Sequence, residues 1–149
     1  MALVAVAVVV DDVLGPLVRL RQQDPVYGYQ AVNVEAQTRN SASLLWWTKR
    51  MIEVRKAHPV FGLGTFEELG SSNPSVLAFV REFGDDRVLC VNNLSRFAQP
   101  VELELRRFEG MTPRELLGGV PFPRVGQLPY LLTIAPHGSY WFQLCPDEP

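Results

Sequence analysis

The sequence predicts a mainly β protein, in which one long amphipathic helix precedes an antiparallel β-sandwich. Three observations predict this fold: one helical pattern, a run of strand patterns and an abundance of turn residues. One helical pattern runs from about Ser43 to Ala57, and short strand patterns then follow one another as far as Leu144. The 149 residues include 12 prolines and 11 glycines, which supply the turns between short strands. Hydrophobic residues make up 47% of the chain, enough for one globular core.

The region before the helix has no clear period. The apolar run from Met1 to Val10 is too short to span a bilayer, which needs about 20 residues. We interpret it as a strand or a loosely held tail, with a weak tendency to bind membranes or aggregate as the alternative. Tyr27, Tyr29 and Gln30 fall in a predicted loop, and residues 31–36 show no clean alternation.

The helix begins near Ser41 or Ser43, because either residue can cap its N-terminus. It ends before Pro59, since the residue preceding a proline avoids the α region. Its apolar residues recur at three- and four-residue spacing and form a wide stripe: Leu44, Leu45, Trp47, Met51, Ile52 and Val54. Packing is the simpler interpretation of Trp46 and Trp47, and stacking of one of them on a sugar is the alternative.

The strands follow from Gly64 in the order Thr65–Leu69, Val76–Phe83, Arg87–Asn92, Val101–Leu105, Pro113–Leu117, Tyr130–Ile134 and Ser139–Leu144. The second and third form a hairpin and are apolar on both faces, as in central strands covered on both sides. In the fourth strand the apolar residues alternate with Glu102 and Glu104, so one face of this strand is exposed to solvent. We expect the last two strands to form a hairpin that turns at His137.

Composition excludes several functions. The net charge is −2 and the 14 basic residues are dispersed, which argues against a nucleic-acid surface. Cys90 and Cys145 are too few for a disulfide framework, and we expect both to be free thiols in a reducing cytoplasm. The chain has no CxxC motif or Cys/His cluster, so we predict no metal site and no cofactor.

Catalytic motifs are also lacking. Glu102 and Glu104 lie two residues apart on a predicted strand, about 6.6 Å by strand rise. That separation fits an inverting pair of carboxylates, but nothing on a solvent face would keep one of them protonated. His58 at the helix end and His137 in a turn have no evident Ser or Asp partner. We therefore predict no catalytic residue.

Several sequence blocks together carry a family resemblance. The blocks are DPVYGYQ at 24–30, NVEA at 33–36, the helix as far as Lys56, NPSVLAF at 73–79, VLCVNNLSRFAQP at 88–100, LLGG at 116–119, LPYLLT at 128–133 and HGSYWF at 137–142. They resemble the trehalose synthases, maltose α-D-glucosyltransferases of the α-amylase superfamily. The resemblance runs from Asp24 to about Leu144.

The resemblance implies a domain organisation. Residues 24–59 would be the last loop and helix of a (β/α)8 barrel, residues 60–145 a C-terminal β-sandwich and residues 146–149 a tail. Residues 1–23 depart from the family and stay unassigned. We interpret the chain as a truncated gene product, or as one with a displaced start or an upstream frameshift.

The resemblance also bears on function. In the family, four features lie upstream of this region: the catalytic Asp nucleophile, the Glu acid/base, the third Asp and the metal site. The resemblance therefore implies a non-catalytic, stabilising or interaction domain. Tyr27, Tyr29 and Gln30, at the rim of the barrel, are the only candidate site residues. Maltose and trehalose are then substrates of the intact family enzymes alone.

The apolar stripe of the helix predicts a partner. With the rest of a barrel absent, it must be covered by the sandwich, by the N-terminal apolar run or by a second copy, so we expect an exposed apolar patch or self-association. A missing barrel domain would cover the same face. The alternatives are docking to a maltokinase and a stand-alone carbohydrate-binding module, which needs an exposed coplanar aromatic pair. No nucleic acid or membrane partner is expected.

Overall fold

The computed structural model describes residues 33–146 and divides the chain into two compact units, residues 1–50 and 51–149. The described part of the first unit contains helix α1 (Val34–Arg39) and the start of helix α2 (Leu44–Ala57). In the part of the chain that the structure describes, no helix is long and apolar enough to cross a membrane.

Helix α1 lies partly in the region to which the sequence analysis assigned no element. Asn33 caps it, since the side-chain oxygen accepts a hydrogen bond from the Ala36 N–H at 2.7 Å. Glu35 and Arg39 form an ion pair one turn apart. A helix of six residues is too short to show a period, so the cap and this charge pair were its only signals in the sequence.

Helix α2 matches its predicted bounds. Ser43 precedes it, and the Ser43 carbonyl accepts the first helical hydrogen bond, from Trp47 at 3.0 Å. The last helical bond runs from the His58 N–H to the Val54 carbonyl at 3.1 Å, just before Pro59. None of the residues in α2 is buried, and Leu44 is 70% exposed. The predicted apolar stripe is therefore largely uncovered.

The second unit continues with a short helix, α3 (Val60–Leu63), and seven antiparallel strands. One sheet has the order β1-β2-β3-β7-β5 and the other pairs β4 with β6. The strands are β1 (Glu67–Glu68), β2 (Val76–Phe83), β3 (Asp86–Asn93), β4 (Gln99–Leu103), β5 (Met111–Glu115), β6 (Tyr130–Ile134) and β7 (Ser139–Pro146). The predicted mainly β fold, an antiparallel sandwich behind a helix, is confirmed.

The hairpin of β2 and β3 is also confirmed, with Phe83 opposite Asp86. Gly84 takes a positive φ of 59° in the turn, which glycine adopts without strain. Asp86 belongs to the strand, not to the turn as predicted. Strand β4 ends at Leu103, two residues before the predicted end at Leu105, and a 3-10 helix (Arg106–Phe108) follows.

The predicted hairpin of the last two strands is wrong. Strand β6 pairs with β4, whereas β7 lies between β3 and β5 in the other sheet. Asn93 holds the crossing between them, since its side-chain amide donates to the Ala135 carbonyl at 2.9 Å and the Phe97 carbonyl at 2.8 Å. The crossing lets the apolar faces of both strands reach one core from opposite sides.

The core lies between the two sheets. It takes alternate residues from five strands: Val76, Ala78 and Val80 of β2, Leu89 and Val91 of β3, Val101 and Leu103 of β4, Leu132 and Ile134 of β6, and Phe142 and Leu144 of β7. A second, smaller apolar cluster covers the outer face of the larger sheet: Val60, Val88 and Cys90, packed by Phe61, Phe79, Leu116 and Trp141. This second cluster explains why β2 and β3 are apolar on both faces.

Candidate functional site at the helix–sandwich junction

The structure does not test the site residues expected from the sequence. Tyr27, Tyr29 and Gln30 lie outside the described residues. Trp46 donates from its indole Nε1 to the Thr38 carbonyl at 2.9 Å and thus links α2 to α1. Trp47 is exposed.

Glu102 and Glu104 do not form a catalytic pair. Both are exposed, and Glu104 lies beyond the end of β4, so the two carboxylates do not share one strand face. In the part of the chain that the structure describes, no cluster of three His, Cys, Asp or Glu residues could hold a metal ion.

The structure does assemble a cluster of polar and aromatic side chains where the chain passes from α2 into the sandwich. We call it the junction cluster: His58, Phe61, Arg81, Asp86, Trp141 and Gln143. His58 Nδ1 lies 3.3 Å from Asp86 Oδ2, and Gln143 donates to Asp86 Oδ1 at 3.1 Å. The expectation that His58 has no Asp partner was therefore wrong. The two residues are 28 positions apart, and only the folding of the segment onto the sheet brings them together.

Arg81 holds the backbone of this passage. From β2 its guanidinium donates to the carbonyls of Gly64 at 2.8 Å and Thr65 at 3.1 Å, and also to that of Phe61. Arginine suits the position because its planar group presents several donors in a fixed arrangement. Because the three carbonyls flank the end of α3, a single side chain fixes the path of the segment over the sheet.

Close packing fixes the same passage. A Cβ added to Gly64 would lie 2.5 Å from the Val60 carbonyl oxygen and 3.1 Å from that of Glu82, so only glycine fits there. The Phe61 ring packs on Trp141 with ring centroids 4.8 Å apart. Aromatic contact and backbone hydrogen bonds therefore tie residues 58–65 to the outer face of the sheet.

Cys90 lies under this passage. Burial raises the pKa of the Cys90 thiol to about 12, and the positive charge of Arg81 acts in the opposite direction. The thiol therefore stays protonated at neutral pH and is a poor nucleophile, since the thiolate is the reactive form. Cys90 packs as a small apolar residue beside Val60 and Val88.

The grooves of the sandwich do not suggest glycoside chemistry. A groove of about 610 Å³ is lined by eleven residues between Phe122 and Thr133, and none of them is Asp or Glu. Two smaller grooves contain one carboxylate each, Glu68 and Glu102. Glycoside hydrolysis needs a pair of carboxyl groups on either side of the sugar bond.

Comparison with known proteins shows the family to which the chain belongs. Residues 66–141 match the family described as Maltogenic Amylase, C-terminal domain, and the chain belongs to this family of β-sandwich domains. More narrowly, it matches the C-terminal part of trehalose synthase, as the resemblance implied.

The curated relatives are similar over most of the chain. The trehalose synthase of Pimelobacter sp. (strain R48) is 68% identical over 126 residues, which cover 82% of this chain and 22% of that protein. The trehalose synthase/amylase TreS of Mycobacterium tuberculosis (strain H37Rv) is 64% identical over 129 residues, 85% of this chain and 22% of that protein. The chain thus spans about a fifth of the length of these relatives.

Solved structures share the fold at lower identity. The structure of AmyP in complex with maltose superposes with a TM-score of 0.64 and 17% identity, covering 85% of this chain and 24% of that one. Trehalose-6-phosphate hydrolase of Bacillus licheniformis gives a TM-score of 0.63 at 20% identity, over 78% of this chain and 21% of that one. At such identities these neighbours show the fold alone.

Proposed function

We propose that this chain is the C-terminal sandwich portion of a maltose–trehalose interconverting enzyme of the trehalose synthase type, and that it stabilises the enzyme without catalysing the reaction itself. The observation that carries the proposal is the Arg81 anchor, with hydrogen bonds to the carbonyls of Phe61, Gly64 and Thr65. This anchor fixes the path of residues 61–65 over the sheet. The identity of 68% to a trehalose synthase supports the choice of enzyme.

The described residues also support a non-catalytic role. None of the grooves described above contains two carboxylates. The buried thiol of Cys90 is held protonated and does not act as a nucleophile. The free thiols of Cys90 and Cys145 support our proposal of a cytoplasmic location, where thiols stay reduced.

We further propose that the exposed face of α2 packs against the remainder of such an enzyme. Leu44, Trp47 and Ile52 are all exposed on this helix. Fully burying an exposed side chain contributes roughly 1.5–3 kcal/mol. Leu44 is 70% exposed and would gain most of this, whereas Trp47 and Ile52, at 43% and 47%, would gain about half, and together these gains would favour association with a barrel domain. A second copy of the chain, a maltokinase or a carbohydrate ligand remain the alternative partners.

A chimeric enzyme tests the proposal. The 126 matched residues of the Pimelobacter trehalose synthase would be replaced by the corresponding residues of this chain. We expect the chimera to convert maltose into trehalose, followed by NMR of the anomeric protons, and the chain alone to convert none. Trehalose formation by the chain alone would refute the non-catalytic role. A folded but inactive chimera would refute the proposal that this chain serves as the C-terminal sandwich of such an enzyme.

Maltose titration of the isolated chain separates the scaffold from the sugar-binding alternative. Phe66 is exposed and packs on Phe79 with ring centroids 4.8 Å apart, but their planes are inclined by 31°. A flat platform for a sugar is therefore not formed by this pair. We expect no saturable chemical-shift change, whereas a saturable change at Phe66 would favour a carbohydrate-binding module.

A further inference from the structure

The two sheets of the sandwich have four outer edges, of which two are bonded to other residues and a third is short and charged. Strand β1 has only two residues, both glutamates, and short charged strands resist pairing with another chain. The outer side of β5 is bonded to residues 120–125, as in the bond from the Val125 N–H to the Met111 carbonyl at 2.9 Å. The outer side of β4 is bonded to Ser72, whose hydroxyl oxygen accepts from the Glu102 N–H at 3.0 Å, and to Asn73, which donates to the Pro100 carbonyl at 3.0 Å.

The fourth edge, the outer side of β6, is open. Glu102 and Pro100 direct their backbone groups away from β6, and they lie opposite Leu131 and Thr133. In an antiparallel ladder both members of such a pair point outward. Leu131 and Thr133 therefore present their N–H and C=O groups to the free side, and neither residue has a further partner in the described part of the chain.

The side chains at this edge do nothing to discourage pairing. Strand β6 contains no Asp, Glu, Lys, Arg or Pro, the residues with which proteins protect exposed edges. Leu131 is 66% exposed and Leu128, just before the strand, is 82% exposed. The groove of about 610 Å³ runs along the same residues. An uncharged, partly apolar strand edge of this kind is a template for adding another strand.

We propose that β6 is an interface at which two copies of this chain pair edge to edge about a two-fold axis. The axis passes through Leu132, so that Leu131 lies opposite Thr133 of the second copy and Thr133 opposite its Leu131. Each of these pairs exchanges both N–H···O bonds, and all the open groups of the two residues are satisfied. Because the strand has no charge, the pairing brings no like charges together. The small sheets of the two copies join in the order β4-β6-β6-β4.

This inference is independent of the proposed function, and it is tested on the full chain by analytical ultracentrifugation over a wide range of concentration. We expect a monomer–dimer equilibrium. Thr133→Pro removes an outward N–H without breaking the β4 ladder, and it should weaken dimerisation about 10- to 100-fold, since two hydrogen bonds are lost per dimer. Leu131→Lys should weaken it in a salt-dependent way. The matched control Leu94→Lys changes an equally exposed leucine, 65% exposed, away from β6 and should have no effect.

Residue-resolved amide exchange locates the contact. The Leu131 and Thr133 amides should become protected as the concentration rises, whereas the Leu132 amide, bonded to β4, should be protected throughout. A chain that stays monomeric overturns the inference. A dimer that neither Thr133→Pro nor Leu131→Lys weakens also overturns it, and would place the contact on the exposed face of α2 instead. If the monomer gains protection at Leu131 and Thr133 only when a synthetic peptide of residues 128–134 is added, the edge accepts a free peptide and not a second copy, and the inference is equally wrong.

Discussion

Replacing Arg81 with methionine tests whether this side chain holds the junction. Methionine keeps the length of the stem but removes the hydrogen bonds to the carbonyls of Phe61, Gly64 and Thr65. At a net value of about 1 kcal/mol for each bond, the loss is about 3 kcal/mol. For a chain of this size that corresponds to a fall in Tm of about 6–12 °C.

The assay is thermal and urea unfolding of the full chain, with Arg87→Met as the matched control. Arg87 lies on the neighbouring strand and makes a partly exposed ion pair with Glu82 at 3.4 Å, so its loss should cost less than about 1 kcal/mol. Tryptic cleavage after Lys56 should also become faster in the Arg81 variant, because the passage into the sandwich is no longer anchored. Equal losses in the two variants, or no loss in either, would refute the anchoring role of Arg81.

Three further substitutions or treatments address the junction, the crossing and the buried thiol. In urea unfolding, Gly64→Ala should lower stability by about 2 kcal/mol or more, because the new Cβ would meet the Val60 carbonyl. The control Gly62→Ala, which has open space around it, should be neutral or stabilising. Asn93→Leu should cost about 2–4 kcal/mol in the same assay, since it removes the Asn93 donor from the buried bond to the Ile134 carbonyl and from the part-buried bonds to the Phe97 and Ala135 carbonyls. An unchanged midpoint would contradict the role of Asn93 in holding the crossing. At pH 8 a thiol reagent should modify the half-buried Cys145 but not Cys90 until the protein unfolds. Burial raises the pKa of Cys90 from 9.0 in the unfolded chain to about 12 in the folded protein. The contribution of Cys90 to the free energy of unfolding is therefore complete below pH 9 and is lost as the pH rises toward 12. Labelling of Cys90 in the native state, or a free energy of unfolding that is constant between pH 9 and 12, would contradict its burial.

The strand and helix assignments succeeded where the pattern was local. The helix of residues 44–57 has a period, a capping serine and a terminating proline, all within one short stretch. Strands β2 and β3 are joined by two residues that include Gly84, so their pairing is also encoded locally. The family resemblance added the domain type, because it rests on many blocks together.

Pairing between distant strands could not be read in the same way. The sequence places β6 and β7 a few residues apart and suggests a hairpin, yet they belong to different sheets. The reason is that Asn93 and the shared core decide where each strand goes, and both act across the fold. The His58–Asp86 contact escaped notice for the same reason.

The sequence by itself therefore determined the kind of protein, the helix, the hairpin of β2 and β3 and the apolar character of the strands, because propensity, turn residues and periodicity act over a few residues. Only the tertiary structure decided which strands share a sheet, that Arg81 reaches three carbonyls of the junction and that the edge of β6 is left open. Each of these depends on residues that are distant along the chain, and their approach is set by burial of a common core.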